Sequence, residues 1–196
     1  MSTYLLVHGA WHSGRCWDRV VPMLEAAGHR VIAPSLTGYG DTAHLLGPEV
    51  GLDTHVADVV SLIEHEDLTE VVLVGHSYAG LVISSVANAV PDGIAHLVHL
   101  DAMVPQDGET AVDVMPANQH AIDQAHSSAS GWQVPPMPEL PHPHPQHHQP
   151  DGIVHRRVPA IQPNGKPSQV WELPTGHDCM ITMPGELSVL LLELSS

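Results

Sequence analysis

Strand-length runs rich in Val, Ile and Leu recur along the chain at residues 4–7, 30–33, 71–74, 97–100 and 169–173. None alternates strictly between apolar and polar positions, which is the pattern of strands buried on both faces. Between them the apolar positions change period. Trp17, Val20, Val21 and Leu24 follow the i, i+3, i+4, i+7 spacing of a helix with one buried face, as do Val56, Val59, Val60 and Ile63, and then Val82, Ser85, Val86 and Ala89. A last helix is predicted from Leu187, Leu190, Leu191 and Leu194, with Pro184 placed to open it.

Strand alternating with helix predicts an α/β fold: a mostly parallel sheet flanked by helices, joined by right-handed crossovers, with ligands bound beyond the carboxyl ends of the strands. Three of those ends carry reactive or unusual residues: His8 to Trp11, Gly75 to Gly80, and Asp101. Residues 135–150 break the rhythm, with seven prolines and four histidines in sixteen positions. Proline removes a ladder donor and restricts the residue before it, so this stretch reads as extended, polyproline-like or disordered chain. The expectation is one domain over residues 1–196, with a cap remnant or linker at about 117–168.

The run at 71–74 enters Gly75-His76-Ser77-Tyr78-Ala79-Gly80 and then a helical pattern, the context of a nucleophile elbow. The turn requires small residues two before and two after the nucleophile, here Gly75 and Ala79. Alanine replaces the usual second glycine, and Gly80 beside it offers conformational freedom. A strand-to-helix turn with a capping serine would share some of these features, but strand, helix and small neighbours together favour Ser77 as a nucleophile. A serine hydroxyl needs a base to take its proton. His177 follows the last predicted strand, just ahead of the closing helix, and so stands out among the 17 histidines as the general base. Acyl transfer also needs oxyanion donors, for which the amides of Tyr78 and Ala10 are the candidates. Trp11 and the Tyr78 side chain are candidates to line an acyl pocket.

Residues 4–12 (YLLVHGAWH), 75–80 (GHSYAG), 100–105 (LDAMVP) and 173–178 (LPTGHD) together resemble the α/β-hydrolase superfamily. The nearest branch is that of small bacterial carboxylesterases, plant methyl esterases and hydroxynitrile lyases. The resemblance covers roughly residues 3–116 and 169–194. It implies a cofactor-free serine hydrolase acting on a small carboxylic ester or lactone. It also implies an acid on a strand before the last one, and here the chain departs: the interval between Asp101 and Gln169 is mostly proline- and histidine-rich, as if a strand-helix unit of about 30 residues were absent. The fold is therefore expected with a truncated cap and one core strand fewer than usual. Asp101, ending the strand next to the nucleophile's, is the first candidate acid; Asp151 is a second, and the absence of any acid is a third reading. The lyases carry a lysine after their histidine where this chain has Asp178, which disfavours lyase chemistry.

Charge narrows the partners. Six Lys+Arg against 22 Asp+Glu give a net charge of -16, which repels nucleic acid and anionic lipid. No run approaches the roughly 20 apolar residues of a membrane span, and residues 1–7 lack the features of a secretion signal, so a soluble cytoplasmic protein is expected. In that compartment Cys16 and Cys179 are expected as free thiols. His142, His144, His147 and His148 suit adventitious binding better than a built metal site, since proline-spaced imidazoles lack fixed geometry, and no metal is expected. Two other classes remain open: a ligand-binding protein that has kept the fold and lost the chemistry, and a histidine-rich metal-binding protein.

Overall fold

The computed structural model describes residues 1–134, 159–162 and 166–195. The proline- and histidine-rich run at 135–150 and Asp151 lie outside the described residues. Within them the sheet has four parallel strands, β1 (Thr3–Val7), β2 (Arg30–Ile32), β3 (Val71–His76) and β4 (Ile94–Leu100), in the order β2-β1-β3-β4. Seven α-helices are described: α1 (Val21–Ala26), α2 (Leu52–His65), α3 (Ala79–Ala89), α4 (Ala111–Val114), α5 (Asn118–His126), α6 (Cys179–Thr182) and α7 (Pro184–Leu192).

Side chains alternate across a pleated strand, so β1 and β3 each feed two cores. Leu5, Val7, Val71 and Leu73 point to one face, packed with Val59 and Ile63 of α2 and Val82, Ile83 and Val86 of α3. Tyr4, Leu6, Val72 and Val74 point to the other, packed with Leu24 of α1, Met180 of α6 and Leu187 and Leu191 of α7. Every residue from Tyr4 to Val7 and from Val71 to Val74 is buried. That two-sided burial is the reason these strands lack alternation. At about 25 cal/mol per Å² of apolar surface, each such Val or Leu contributes roughly 1.5–3 kcal/mol. The closing helix is tied to the first strand by the Tyr4 hydroxyl, which donates to the Leu191 carbonyl at 2.8 Å.

Two expectations need correction. Residues 169–173 form no strand: they carry no ladder, Val170 is 56% exposed, and the nearest pairing is an isolated bridge between Ile161 and Pro167. A run of the right length and composition becomes a strand only where a partner edge receives it, and this one lies off the sheet. Among the described residues β4 is consequently an edge strand, like β2 on the other side, with Leu97 39% exposed. The first helix also starts later than its periodicity suggests. Trp17 belongs to a preceding 3-10 turn (Gly14–Trp17), and Pro22, which cannot donate to a carbonyl one turn back, sits in the first turn of α1. Trp17, Val20 and Leu24 still share one core. Both cysteines are free thiols, with burial pushing each pKa up to about 12. No helix among the described residues is long and apolar enough to cross a membrane.

Three histidines inside the fold are held neutral by burial. His8 falls to about 4, His76 to about 3 and His99 to about 4. Each binds its proton in the unfolded chain at a higher pH than in the folded one, so the unfolded state gains protons as the pH drops below about 6.5. Their contribution to stability is full above that pH and is lost toward pH 4, at up to about 1.4 kcal/mol per pH unit for each histidine. Urea denaturation at stepped pH should show this fall, and His8→Gln should make it shallower.

Candidate active site

The sharp turn after β3 brings the chemistry to the carboxyl edge of the sheet. Ser77 has φ = 55°, in the left-handed region that a side chain enters at a cost of about 1–3 kcal/mol. The surroundings hold it there. Its amide donates to the Leu100 carbonyl at 3.3 Å, and its carbonyl accepts from the Met103 amide at 3.0 Å. Both partners lie on the end of β4 or just beyond it. Gly80 serves close approach instead of backbone freedom: a Cβ there would collide with the Met103 carbonyl. Ala79 is fully buried as the first residue of α3 and fits the turn without a second glycine two positions after Ser77.

Asp101 immediately follows the strand end that clamps the elbow and is itself left-handed, at φ = 41°. Its Oδ2 accepts from Nδ1 of His177 at 2.5 Å. This pairs the two residues from sequence positions 76 apart. Partial burial works against the cationic form of His177, but the bond to Asp101, the charge of Asp101 and that of Asp178 outweigh it, so its pKa lies above the ordinary histidine value. With Nδ1 carrying the donated proton, Nε2 is the basic nitrogen. No hydrogen bond joins His177 to the Ser77 hydroxyl among the described residues; such contacts are often long in ligand-free sites and tighten around substrate.

The loop after β1 approaches the same point. Gly9 passes so near the elbow that a Cβ on it would lie 2.9 Å from Cβ of Ser77 and 2.9 Å from Nδ1 of His76. Trp11 takes φ = 61° in the following turn, whose ends are joined by the His12 amide donating to the Gly9 carbonyl at 3.4 Å. Buried His8 fixes the loop from below, donating from Nδ1 to the Gly9 carbonyl at 2.8 Å and accepting at Nε2 from the Leu36 amide at 3.0 Å. Ala10 follows Gly9 at the head of this turn. The Trp11 indole is 42% exposed and donates to the Val134 carbonyl at 3.1 Å.

Tyr78 proves to be braced from α2. His55 Nε2 donates to the Thr37 carbonyl at 3.0 Å, so its Nδ1 accepts from the Tyr78 hydroxyl at 2.9 Å. Burial raises the Tyr78 pKa and lowers that of His55, keeping both neutral. Nothing in the sequence marks this brace, and the elbow motif that contains His76 does not report the buried contact its side chain makes.

His12, His76 and Asp178 place three ligand-type atoms within 4.8 Å of one another. His12 Nε2 lies 3.5 Å from Asp178 Oδ1 and His76 Nε2 lies 3.9 Å from it. The His76 nitrogen, however, faces the His177 carbonyl at 3.0 Å and must carry a proton to do so, which leaves it no lone pair for a cation. His76 Nε2 therefore acts as a hydrogen-bond donor here and not as a metal ligand. A concavity of about 530 Å³ lined by Thr3, Thr69, Val72 and His96 sits at the opposite, amino-terminal edge of the sheet, away from all of these residues.

A parallel sheet with a strained serine at its carboxyl edge, a histidine-carboxylate pair beside it and a glycine loop against it defines the class of nucleophile-elbow hydrolase folds. The chain belongs to the alpha/beta hydrolase family, whose model matches residues 4–181. It is 48% identical over 116 residues to a carbendazim hydrolyzing esterase of Nocardioides sp. (strain SG-4G), covering 59% of this chain and 48% of that one. It is 38% identical over 104 residues to Methylesterase 2 of Arabidopsis thaliana, covering 52% of this chain and 40% of that one. Among solved structures, an extracellular alpha/beta-hydrolase from a Paenibacillus species, described as sharing structural and functional homology with tobacco salicylic acid binding protein 2, matches at 30% identity with a TM-score of 0.55. It covers 64% of this chain and 52% of that one. The chain thus spans about half the length of the curated relatives it matches.

The close approach of Gly9 gives a sharp expectation. Gly9→Ala must displace either the loop or the elbow, and overpacking of this kind should lower stability by about 1–3 kcal/mol. Thermal denaturation followed by circular dichroism checks this, an unchanged melting temperature being the result against it.

Proposed function

We propose that this protein is a serine hydrolase of small carboxylic esters or lactones, with Ser77 as nucleophile, His177 as general base and Asp101 as the acid that orients it. The observation that carries the reading is the 2.5 Å bond from His177 Nδ1 to Asp101 at the edge that holds the strained Ser77. It gives the imidazole the tautomer and orientation a base needs, from a carboxylate on a different strand end from the usual one. The esterase relatives support the reaction class. We read residues 1–196 as one domain, and Asp101 in preference to Asp151 or to no acid.

In this mechanism Ser77 Oγ attacks the ester carbonyl carbon while His177 Nε2 takes its proton. The amides of Ala10 and Tyr78 hold the oxyanion, and Trp11 flanks the acyl group. The carbon-oxygen bond to the alcohol then breaks, and the departing oxygen takes the proton from His177. Water next attacks the acyl-enzyme, giving up a proton to the same nitrogen, and the carboxylic acid leaves as Ser77 regains its hydrogen. No cofactor enters these steps.

A second reading is a binding protein that has kept the fold and lost turnover, and the open Ser77–His177 contact is compatible with both readings. A fluorophosphonate separates the two, because it reports an activated serine without knowledge of the substrate. Stoichiometric labelling that disappears in Ser77→Ala is expected, and an unlabelled folded protein would support the binding reading instead.

The pH profile tests the acid. Activity needs neutral His177, so kcat/KM should fall as the pH drops through a His177 pKa that lies above about 6.5. Asp101→Asn removes the carboxylate charge that raises it. The inflection should move to lower pH and kcat should fall about 10²- to 10⁴-fold, by analogy with loss of the orienting acid in a serine protease.

A further inference from the structure

The segment leading to His177 lacks what a base normally relies on. Residues 169–173 pair with no strand, and the His177 side chain is 43% exposed. Something else must hold the loop against the sheet. Besides the bond from His177 to Asp101 and the packing of Leu173, Cys179 and Met180 on the core, three side-chain ties are seen: Thr175 Oγ1 to Thr182 Oγ1 at 2.6 Å, Arg19 Nη1 donating to the Ile181 carbonyl at 2.8 Å, and His12 opposite Asp178 at 3.5 Å. All three lie on the loop or on peripheral turns.

His76 is different, because it belongs to β3 itself. Its side chain is 0% exposed. Its Nε2 lies 3.0 Å from the carbonyl of His177, a residue 101 positions away, and the two imidazole rings are in contact with centroids 4.5 Å apart. The tautomer follows from the partners. A carbonyl only accepts, so the proton must be on Nε2; the other tautomer would set a lone pair against that oxygen and leave a buried N–H at Nδ1, which has no hydrogen-bond partner among the described residues. One buried side chain thus grips the backbone of the base while its ring supports the base's ring.

We infer that His76, the residue before the nucleophile, is the positioning residue that anchors His177 to the sheet in place of a strand preceding the histidine loop. It does not touch substrate. Its work is to fix the backbone from which the His177 ring swings, so that Nδ1 meets Asp101 and Nε2 faces the elbow. Burial also keeps it neutral, with a pKa of about 3, so it adds no positive charge beside a base that must itself become cationic. The inference rests on His177 acting as the base proposed above.

Two variants separate the anchor from mere core filling. His76→Phe keeps a ring of similar size and removes the donor; His76→Gln keeps an N–H at nearly the same reach and removes the ring. With p-nitrophenyl acetate, His76→Phe should lower kcat about 10- to 100-fold with KM changed less than about twofold, the scale of a misplaced reacting group. His76→Gln should recover most of that loss. A folded His76→Phe protein with wild-type kcat, or a His76→Gln protein no better than it, would overturn the inference. Should the phenylalanine variant fail to fold, imidazole ¹⁵N shifts of the wild-type protein decide: His76 must be the Nε2–H tautomer at neutral pH, and the Nδ1–H tautomer would overturn the anchor. That spectrum does not depend on turnover, so a wild-type protein that fails to label with fluorophosphonate would sink the hydrolase reading while leaving the hydrogen bond to be judged separately.

Discussion

The pairing of β3 with β4 is the constraint from which the rest of the site follows. Its register runs from Val71 opposite Ile94 to His76 opposite Leu100, so the two strands end together. One residue past each end stand Ser77 and Asp101, both forced into left-handed backbone. The bonds from the Ser77 amide to Leu100 and from the Met103 amide to Ser77 lock the two turns to each other. Ser77 and the Asp101 carboxylate are therefore placed relative to each other by the sheet, independently of His177. A sheet that slipped by one residue would send alternate side chains to the wrong face and destroy both positions at once.

Around that pair the molecule uses buried imidazoles as braces. His8 ties the β1 loop to the chain after β2, His55 ties Tyr78 to the Thr37 carbonyl, His99 lies 3.1 Å from the Ser84 hydroxyl, and His76 ties the elbow to His177. Each offers one donor and one acceptor in the neutral form, which lets a single side chain bridge two segments inside an apolar core. An amide side chain could make similar bonds, but an imidazole also fills ring-sized volume, as in the contacts of His8 with Tyr39 and of His55 with Tyr78.

Much of this was legible in the residues. β1 and β3 announced themselves because burial on both faces leaves an uninterrupted apolar run, and α2, α3 and α7 because their buried stripes repeat every three or four residues. Ser77, His177 and Asp101 stood out as candidates from the elbow, the chain order and a strand end, and the structure brings the last two into contact. The run at 169–173 misled because strand propensity is satisfied only by an available edge, and no local pattern reveals whether one is within reach. His76 and His55 stayed hidden for a related reason: their partners are 101 and 18 to 23 positions away, and nothing in a one-dimensional spacing reports a hydrogen bond across the core.

The outermost position of β4 has a consequence for how the protein behaves in concentrated solution. Ile94–Leu100 carries no lysine, arginine or proline, the residues with which natural sheets blunt a free margin, and Leu97 stands partly bare on it. A margin of that kind is a ready template for a further strand from another molecule, joined through the amides and carbonyls that alternate residues of Ile94–Leu100 turn away from β3.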